Sequence, residues 1–185
     1  PIDGTANFAV GVPTYGTMIG LLESDIPIAG GMSLPSFDQI VIAQKTKGAY
    51  LNGKRTRVSA ETDLSKVLIA VGIDPKKDNP GLVRSQTSIA GEILLNSQNL
   101  RMSNSVFDEM MVARASYGGA LFFSGKIWDN VAPQIVIEEA GGIYTDVYGK
   151  SMDYSNPLKR TKQNFTSCAG APLLHKKLQK IIRAN

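Results

Sequence analysis

The sequence has few of the side chains that form crosslinks or bind soft metals. Among its 185 residues there is one Cys, Cys168, and one His, His175. A single Cys cannot form an intrachain disulfide, and one Cys with one His cannot supply the ligands of a zinc site. Any bound metal is therefore a hard cation with oxygen ligands, such as magnesium, manganese or calcium.

Long apolar runs are also missing. No segment approaches the 18 or more consecutive apolar residues that a membrane-spanning helix requires. Hydrophobic residues make up 43% of the chain and charged residues 19%, which is typical of one globular domain. We therefore expect a soluble, cytoplasmic protein with no membrane segment.

Positive charge is concentrated near the C-terminus. The formal net charge is +4, and residues 158–185 contain seven Lys and Arg but no acid. Leu174, Leu178 and Ile182 recur there at helical spacing, which predicts a terminal helix with a basic, solvent-facing side. Because aromatic residues are not interleaved with the charges, nucleic acid is not an expected partner.

Hydrophobic periodicity predicts a mixed α/β fold, with helices layered on sheet. Strands are predicted at 15–22, 26–34, 49–51, 55–58, 67–72, 120–123, 143–147 and 165–169. Helices are predicted at 80–96, 105–115 and 129–139, followed by the terminal helix. The dipeptide Asn52-Gly53 favours a two-residue hairpin turn.

The first segment with site-like chemistry is PIDGTANF, at residues 1–8. Asp3 offers a carboxylate to a cation, Gly4 lets backbone N–H groups approach an anion, and Thr5 offers a hydroxyl to orient water. Asp-Gly is also a common turn dipeptide, so this triplet alone does not decide between a site and a turn.

The second segment is WDNVAPQIVIEEAGG, at residues 128–142. Asp129 is predicted to cap a helix N-terminus, with Pro133 in the first turn. A carboxylate there can also ligate a cation, since the partial positive charge of the helix end keeps it ionised. Glu138 and Glu139 are adjacent on this helix and point in different directions, so we interpret them as helix surface.

Together the two segments resemble the two signatures of the inositol monophosphatase family. This family is a branch of the magnesium-dependent, lithium-sensitive sugar phosphatases. The resemblance covers the whole chain, since the segments KGAYLNGKRTRVS and RMSNSVFDE also look like family counterparts. It implies an α/β (α+β) fold, a layered α-β-α-β-α sandwich that here lacks its N-terminal helices and first hairpin. Residues 1–100 would form the C-terminal part of the metal-binding half, and residues 101–185 the second half.

The resemblance also implies a set of metal ligands. Asp3 would bind by its side chain, Ile2 by its backbone carbonyl, and Asp129 would complete the shell of a second ion, with two or three Mg²⁺ in all. Asp3 and Thr5 would be the catalytic residues, with the Thr5 hydroxyl helping to aim the attacking water.

Substrate contacts are implied in the same way. Gly4 and Thr5 would present backbone N–H groups to the phosphate of a small phosphorylated substrate, which Asp129 would also contact. Asn104 and Ser105 match the pair that lies beside the substrate ring in the family, although the first of these is usually Gly.

The family pattern continues upstream of Pro1 with an Asp and a Glu that this sequence does not contain. We therefore expect the chain to be truncated inside its first motif, with its N-terminal segment covering an apolar sheet face that is otherwise exposed. Such a fragment is expected to be marginally stable and to have little turnover alone. The family commonly forms dimers, so a homodimer is expected.

The sequence leaves the substrate open. Inositol monophosphate is expected, but residues 122–127 lack the acid that the inositol-specific branch usually has there, and Lys126 could meet a second anionic group. Fructose 1,6-bisphosphate, bisphosphorylated nucleosides and histidinol phosphate remain alternatives, as does a domain that binds an anion or a protein without catalysis. His175 is predicted to face solvent, and Cys168 to be a small buried hydrophobic residue.

Overall fold

The computed structural model describes residues 2–185, so Pro1, with which the first motif begins, lies outside the described residues. The described chain forms ten strands in two five-stranded sheets, with five α-helices. The layers alternate: the first sheet, a pair of helices, the second sheet, and a second pair of helices. The mixed α/β fold predicted from the sequence is confirmed, without a helical layer on the outer face of the first sheet among the described residues.

The first sheet is an antiparallel meander in the order β1-β2-β3-β4-β5. Its strands are β1 (Thr17–Glu23), β2 (Ile26–Leu34), β3 (Gln39–Gln44), β4 (Gly48–Leu51) and β5 (Lys54–Thr56). Asn52 and Gly53 join the last two strands with φ values of 46° and 77°. The predicted hairpin is confirmed, since both residue types tolerate this left-handed backbone.

The second sheet has the order β7-β6-β8-β10-β9. Its strands are β6 (Leu68–Gly72), β7 (Asn99–Arg101), β8 (Gly119–Phe122), β9 (Ile143–Thr145) and β10 (Ser167–Gly170). Strand β6 pairs in parallel with β7 and β8, whereas β10 pairs antiparallel with β8 and β9. The three parallel strands therefore end at the same edge.

Two helices fill the space between the sheets and two cover the far side of the second sheet. The helices are α1 (Thr5–Ala9), α2 (Pro80–Asn96), α3 (Val106–Ala113), α4 (Ile127–Glu139) and α5 (Pro172–Ala184). Helices α3 and α4 lie between the sheets, and α2 and α5 pack on the second sheet from outside. Within the described residues, no helix is long and apolar enough to cross a membrane.

Helix α4 rests directly on the backbone of the first sheet. Gly20 and Gly30 are partners across β1 and β2. A Cβ added to Gly20 would lie 2.5 Å from Val131 Cγ1, and one added to Gly30 would lie 2.7 Å from Ile135 Cγ2. Only glycine at these two positions allows so close a contact.

The outer face of the first sheet is apolar and exposed. Ile19 is 78% exposed, Ile42 57% and Ile40 55%, and all three lie on this face. Side chains and backbone of β1 to β4 surround an open groove of about 520 Å³ there. An exposed apolar patch of this kind marks a surface that another segment or molecule covers.

The sequence-based start of α4 was wrong. The helix begins at Ile127 with Lys126 as its N-cap, so Asp129 lies in the first turn and Pro133 is inside the helix. Asp129 Oδ2 still accepts a hydrogen bond from the backbone N–H of Lys126, at 2.7 Å. A side chain in the first turn can therefore accept a hydrogen bond from a backbone N–H at the helix N-terminus, as the side chain of an N-cap residue does.

The expected exposure of His175 was also wrong, because its side chain is only 6% exposed. On α5 it lies three residues before Leu178 and seven before Ile182, which places it on the apolar side of the helix. The lysines that surround it in sequence point the other way. Cys168 is fully buried in β10, as predicted.

Candidate active site

Asp3 is fixed by contacts with two different layers. Its backbone N–H donates to Gly16 O at 2.8 Å, and Gly16 N–H donates back to Asp3 O at 3.1 Å. Its carboxylate oxygen Oδ2 accepts a hydrogen bond from the N–H of Val106, the first residue of α3. The carboxylate is thus held where the chain leading into the first sheet meets a helix of the central layer.

The residues after Asp3 form a tight turn into α1. Gly4 has a φ of +73°, and a Cβ there would lie 2.9 Å from Ser105 Cβ, so a larger residue is both strained and obstructed. The Thr5 hydroxyl donates to Ile2 O at 2.9 Å. Ser105 donates its hydroxyl to Thr14 O at 2.8 Å, and Asn7 of the first motif donates to the same oxygen, so Thr14 links the start of α3 to that motif.

Asp3 and Asp129, 126 positions apart in sequence, line the same two adjoining cavities. The larger, of about 370 Å³, also contacts Ile2, Gly4 and Thr5. The smaller, of about 140 Å³, is lined by the same two carboxylates together with residues of α3 and the second sheet. The structure therefore brings the two sequence segments to a single place.

The smaller cavity is acidic. Four of its lining residues are carboxylates, Asp3, Asp74, Glu109 and Asp129, and no Lys or Arg of residues 2–185 lines it. Burial and, to a smaller extent, the nearby charge of Asp129 raise the pKa of Asp3 to about 6, against the lowering effect of the hydrogen bond from Val106. Burial also raises the pKa of Asp129. Unbalanced negative charge of this kind favours a bound cation.

Glu109 was not predicted from the sequence, although it is the most buried of the four carboxylates that line this cavity. It is 4% exposed, and burial holds its pKa well above the usual range. The hydroxyl of Tyr144 lies 3.2 Å from Glu109 Oε1 and 3.0 Å from Asn130 Oδ1. Asn130 is next to Asp129 and donates to Lys126 O at 2.7 Å. This network supports the turn of α4 that carries Asp129.

Asn104 and Ser105, both predicted beside the substrate, line the smaller cavity. Asn104 has a φ of 52°, and its backbone N–H donates to Asp108 Oδ2 at 3.0 Å. Gly adopts this left-handed backbone freely, and Asn tolerates it better than most other residues do. Here, however, the position carries a side chain that reaches into the site.

Lys126 lines neither cavity. Its Nζ donates to the backbone carbonyl of Lys162, at 3.2 Å. The structure thus places Lys126 at the edge of the site with its amine occupied by a loop carbonyl.

The donor set fits a magnesium ion. Within residues 2–185 no three Asp, Glu, His or Cys side chains are grouped as a complete metal cage. Magnesium does not require one, because it is usually bound by one or two carboxylates together with waters and substrate phosphate. Asp3 and Asp129 offer two carboxylates at one cavity, and Ile2 lines the same cavity.

The chain has two sheets with a pair of helices between them, and carboxylates from distant segments meet in one cavity. These features define a layered α/β protein with an acidic site of the kind that binds a cation. The sequence model of the inositol monophosphatase family matches residues 1–184. The chain belongs to the inositol monophosphatase family.

Individual relatives agree with this assignment. The chain is 31% identical over 186 residues to the probable inositol 1-monophosphatase ImpA of Mycobacterium tuberculosis, covering 98% of this chain and 65% of that protein. It therefore spans slightly less than two thirds of that relative.

Solved structures agree as well. The inositol monophosphatase from Anabaena (Nostoc) superposes with a TM-score of 0.86 at 25% identity, covering 100% of this chain and 69% of that one. The fold is also that of an IMPase/NADP phosphatase solved with Mg²⁺ and phosphate, with a TM-score of 0.82 at 20% identity, covering 100% and 65% of the two chains.

Proposed function

We propose that the protein hydrolyses a small phosphate monoester with magnesium as its cofactor. The observation that carries the proposal is the convergence of Asp3 and Asp129 on the same two cavities. Membership of the inositol monophosphatase family supports it, as does the acidic lining of the smaller cavity. Such esters hydrolyse extremely slowly without catalysis, and their negative charge repels hydroxide, so the reaction depends on cations.

Asp3, Asp129 and the carbonyl of Ile2 would hold the metal, with two or three ions bound in all. Bound magnesium would neutralise phosphate charge and lower the pKa of a water ligand. Asp3 and Asp129 line both cavities, so they would hold the magnesium where the two cavities meet, next to the phosphate group.

The first motif would orient the phosphate and the attacking water. Backbone N–H groups of Gly4 and Thr5 would donate to phosphate oxygens. The Thr5 hydroxyl gives its proton to Ile2 O, so its oxygen is left to accept a hydrogen bond from water. Asn104 and Ser105 would contact the remainder of the substrate from the wall of the smaller cavity.

Inositol monophosphate is the substrate we propose. The role considered for Lys126, binding a second phosphate, would require its amine to leave the carbonyl of Lys162 and turn into the cavity. A bisphosphate remains testable alongside the monophosphate.

The test is phosphate release from inositol 1-phosphate by the whole protein, with and without magnesium. We expect magnesium-dependent release, and a loss of at least about a hundredfold in Asp129→Asn, because the variant removes a metal ligand. Glu138→Gln is the matched control, since Glu138 is an exposed carboxylate on the same helix. A domain that only binds anions would release no phosphate in either case.

We further propose that an N-terminal segment of the same protein covers the outer face of the first sheet. The exposure of Ile19, Ile40 and Ile42 supports this, as does the greater length of the relatives. Limited proteolysis of the whole protein should leave the covering segment bound to this chain. A homodimer remains a prediction that sedimentation of the whole protein would test.

A further inference from the structure

Three residues that end or follow parallel strands meet at one side of the smaller cavity. Asp74 follows β6 by two residues, Ser124 follows β8 by two, and Asn104 follows β7 by three. Because β7, β6 and β8 are parallel, their carboxyl ends lie together. Ligands of open α/β sheets bind at this edge.

The carboxylate of Asp74 is held by two side-chain donors. Asn104 Nδ2 donates to its Oδ1 at 2.7 Å, and the Ser124 hydroxyl donates to its Oδ2. Asn104 is itself positioned by Asp108, which accepts its backbone N–H from within the core. The carboxylate therefore has a fixed orientation before any substrate arrives, which reduces the entropy that binding costs.

Asp74 keeps acceptor capacity that faces the cavity. A carboxylate has about four acceptor positions, and the donors from Asn104 and Ser124 use two of them. Asp74 is half-buried and shares the cavity with Asp3 and Asp129. A substrate held by the metal-binding pair would place the rest of its skeleton near Asp74.

We propose that Asp74 is a specificity-determining residue, which accepts hydrogen bonds from the hydroxyl groups of a singly phosphorylated polyol and disfavours a second phosphate. The proposal rests on the proposed function, and it assigns the substrate class within it. Hydroxyl groups are donors that suit a fixed carboxylate, and a hydrogen bond to a charged acceptor is stronger than a neutral one. A second phosphate on this side would meet an unbalanced negative charge.

The experiment compares three substrates in the whole protein: inositol 1-phosphate, fructose 1,6-bisphosphate and p-nitrophenyl phosphate, which has no hydroxyl groups. Asp74→Asn keeps the shape of the side chain, but its amide NH₂ would face Asn104 Nδ2 or the Ser124 hydroxyl, which both donate hydrogen bonds to Asp74. We expect kcat/KM for inositol 1-phosphate to fall about tenfold to a hundredfold. The value for p-nitrophenyl phosphate should stay unchanged, and that for fructose 1,6-bisphosphate should stay unchanged or rise.

Asp78→Asn is the matched control, because Asp78 is an exposed carboxylate later in the same loop. It should leave all three values unchanged. Asp74→Ala, checked for an unaltered melting temperature, should reproduce the selective loss. The magnesium concentration for half-maximal activity should change much less in Asp74→Asn than in Asp129→Asn, because Asp74 adds charge to the cavity without being a proposed metal ligand.

Equal losses on all three substrates, no loss on any, or a change in the magnesium requirement as large as that of Asp129→Asn would overturn the role of Asp74 while leaving the proposed phosphatase function intact. If the original protein releases phosphate from none of the three with magnesium, the proposed function itself fails, and this inference with it.

Discussion

His175 Nε2 lies 2.9 Å from Thr145 Oγ1, which connects the apolar side of α5 to the end of β9. The Thr145 hydroxyl already donates its proton to Asp146 O at 2.7 Å. The imidazole also makes a hydrogen bond with the backbone of Cys168 in β10. Burial lowers the pKa of this imidazole, because the charged form loses its hydration.

The position of His175 predicts a loss of stability in mild acid. Since its pKa in the folded state is below the usual 6.5, the unfolded chain takes up the proton first. The free energy of unfolding should therefore decrease as the pH falls below 6.5. His175 is the single His of the chain, so one imidazole signal in an NMR titration reports its pKa directly. Titration at or above 6.5 would contradict the prediction, and His175→Gln should remove this part of the pH dependence.

Asp108 should have the opposite effect. It is completely buried, its Oδ1 has no hydrogen-bond partner among the described residues, and burial raises its pKa to about 6. A raised folded-state pKa stabilises the protein at low pH, and that contribution is lost as the pH rises through about 6. Asp108→Asn should therefore stabilise the protein more at pH 8 than at pH 5, by about 1.4 kcal/mol, since at pH 5 the unfolded chain has already lost this proton. Urea unfolding at both pH values measures this, and an equal difference at each would contradict it.

Gly4→Ala should damage the fold and the site together. The substitution imposes the cost of a left-handed backbone, about 1–2 kcal/mol, and also drives a Cβ against Ser105. Gly11→Ala separates the two effects, because Gly11 has a similar φ of +77° with nothing within 4 Å of an added Cβ. Thermal unfolding should show a larger loss for Gly4→Ala, and only that variant should also reduce phosphate release. Equal losses in the two variants would mean that the contact with Ser105 is unimportant.

Removing the Tyr144 hydroxyl should destabilise the central layer. Tyr144→Phe leaves both Glu109 and Asn130 without this buried partner, which should cost about 1–3 kcal/mol in the free energy of unfolding. Tyr148→Phe is the control, since Tyr148 is 64% exposed and should change stability little. If the two variants unfold at the same denaturant concentration, the network around Glu109 contributes nothing measurable.

Periodicity predicted the long and regular elements well. The bounds of α2 and β2 match the predicted 80–96 and 26–34. It did not predict β7 or α1, because elements of three and five residues span little more than one period of a strand or a helix and therefore show no repeat. For His175, the apolar spacing of α5 was the better indicator, and the surrounding lysines were misleading.

The sequence indicated site residues only in segments that resemble the family, which include Asn104 and Ser105. Asp3, Gly4 and Thr5 form one motif, and Asp129 lies in the other. Glu109 and Asp74 join them through the packing of α3 and the order of parallel strands, which no local pattern contains. The sequence does place Asp74 just after a predicted strand. That position indicates a site residue only once the strand is known to lie beside β8.

The glycine pair Gly20 and Gly30 has a consequence for chemistry that occurs several residues away. Asp129 belongs to the helix that rests on this pair, whereas Asp3 is tied through Gly16 to the approach of the same sheet. A methyl group at either glycine would push the helix outward and widen the gap between the two acids. Substitutions outside the cavity would thus weaken the binding of magnesium, a small ion that tolerates little change in ligand geometry.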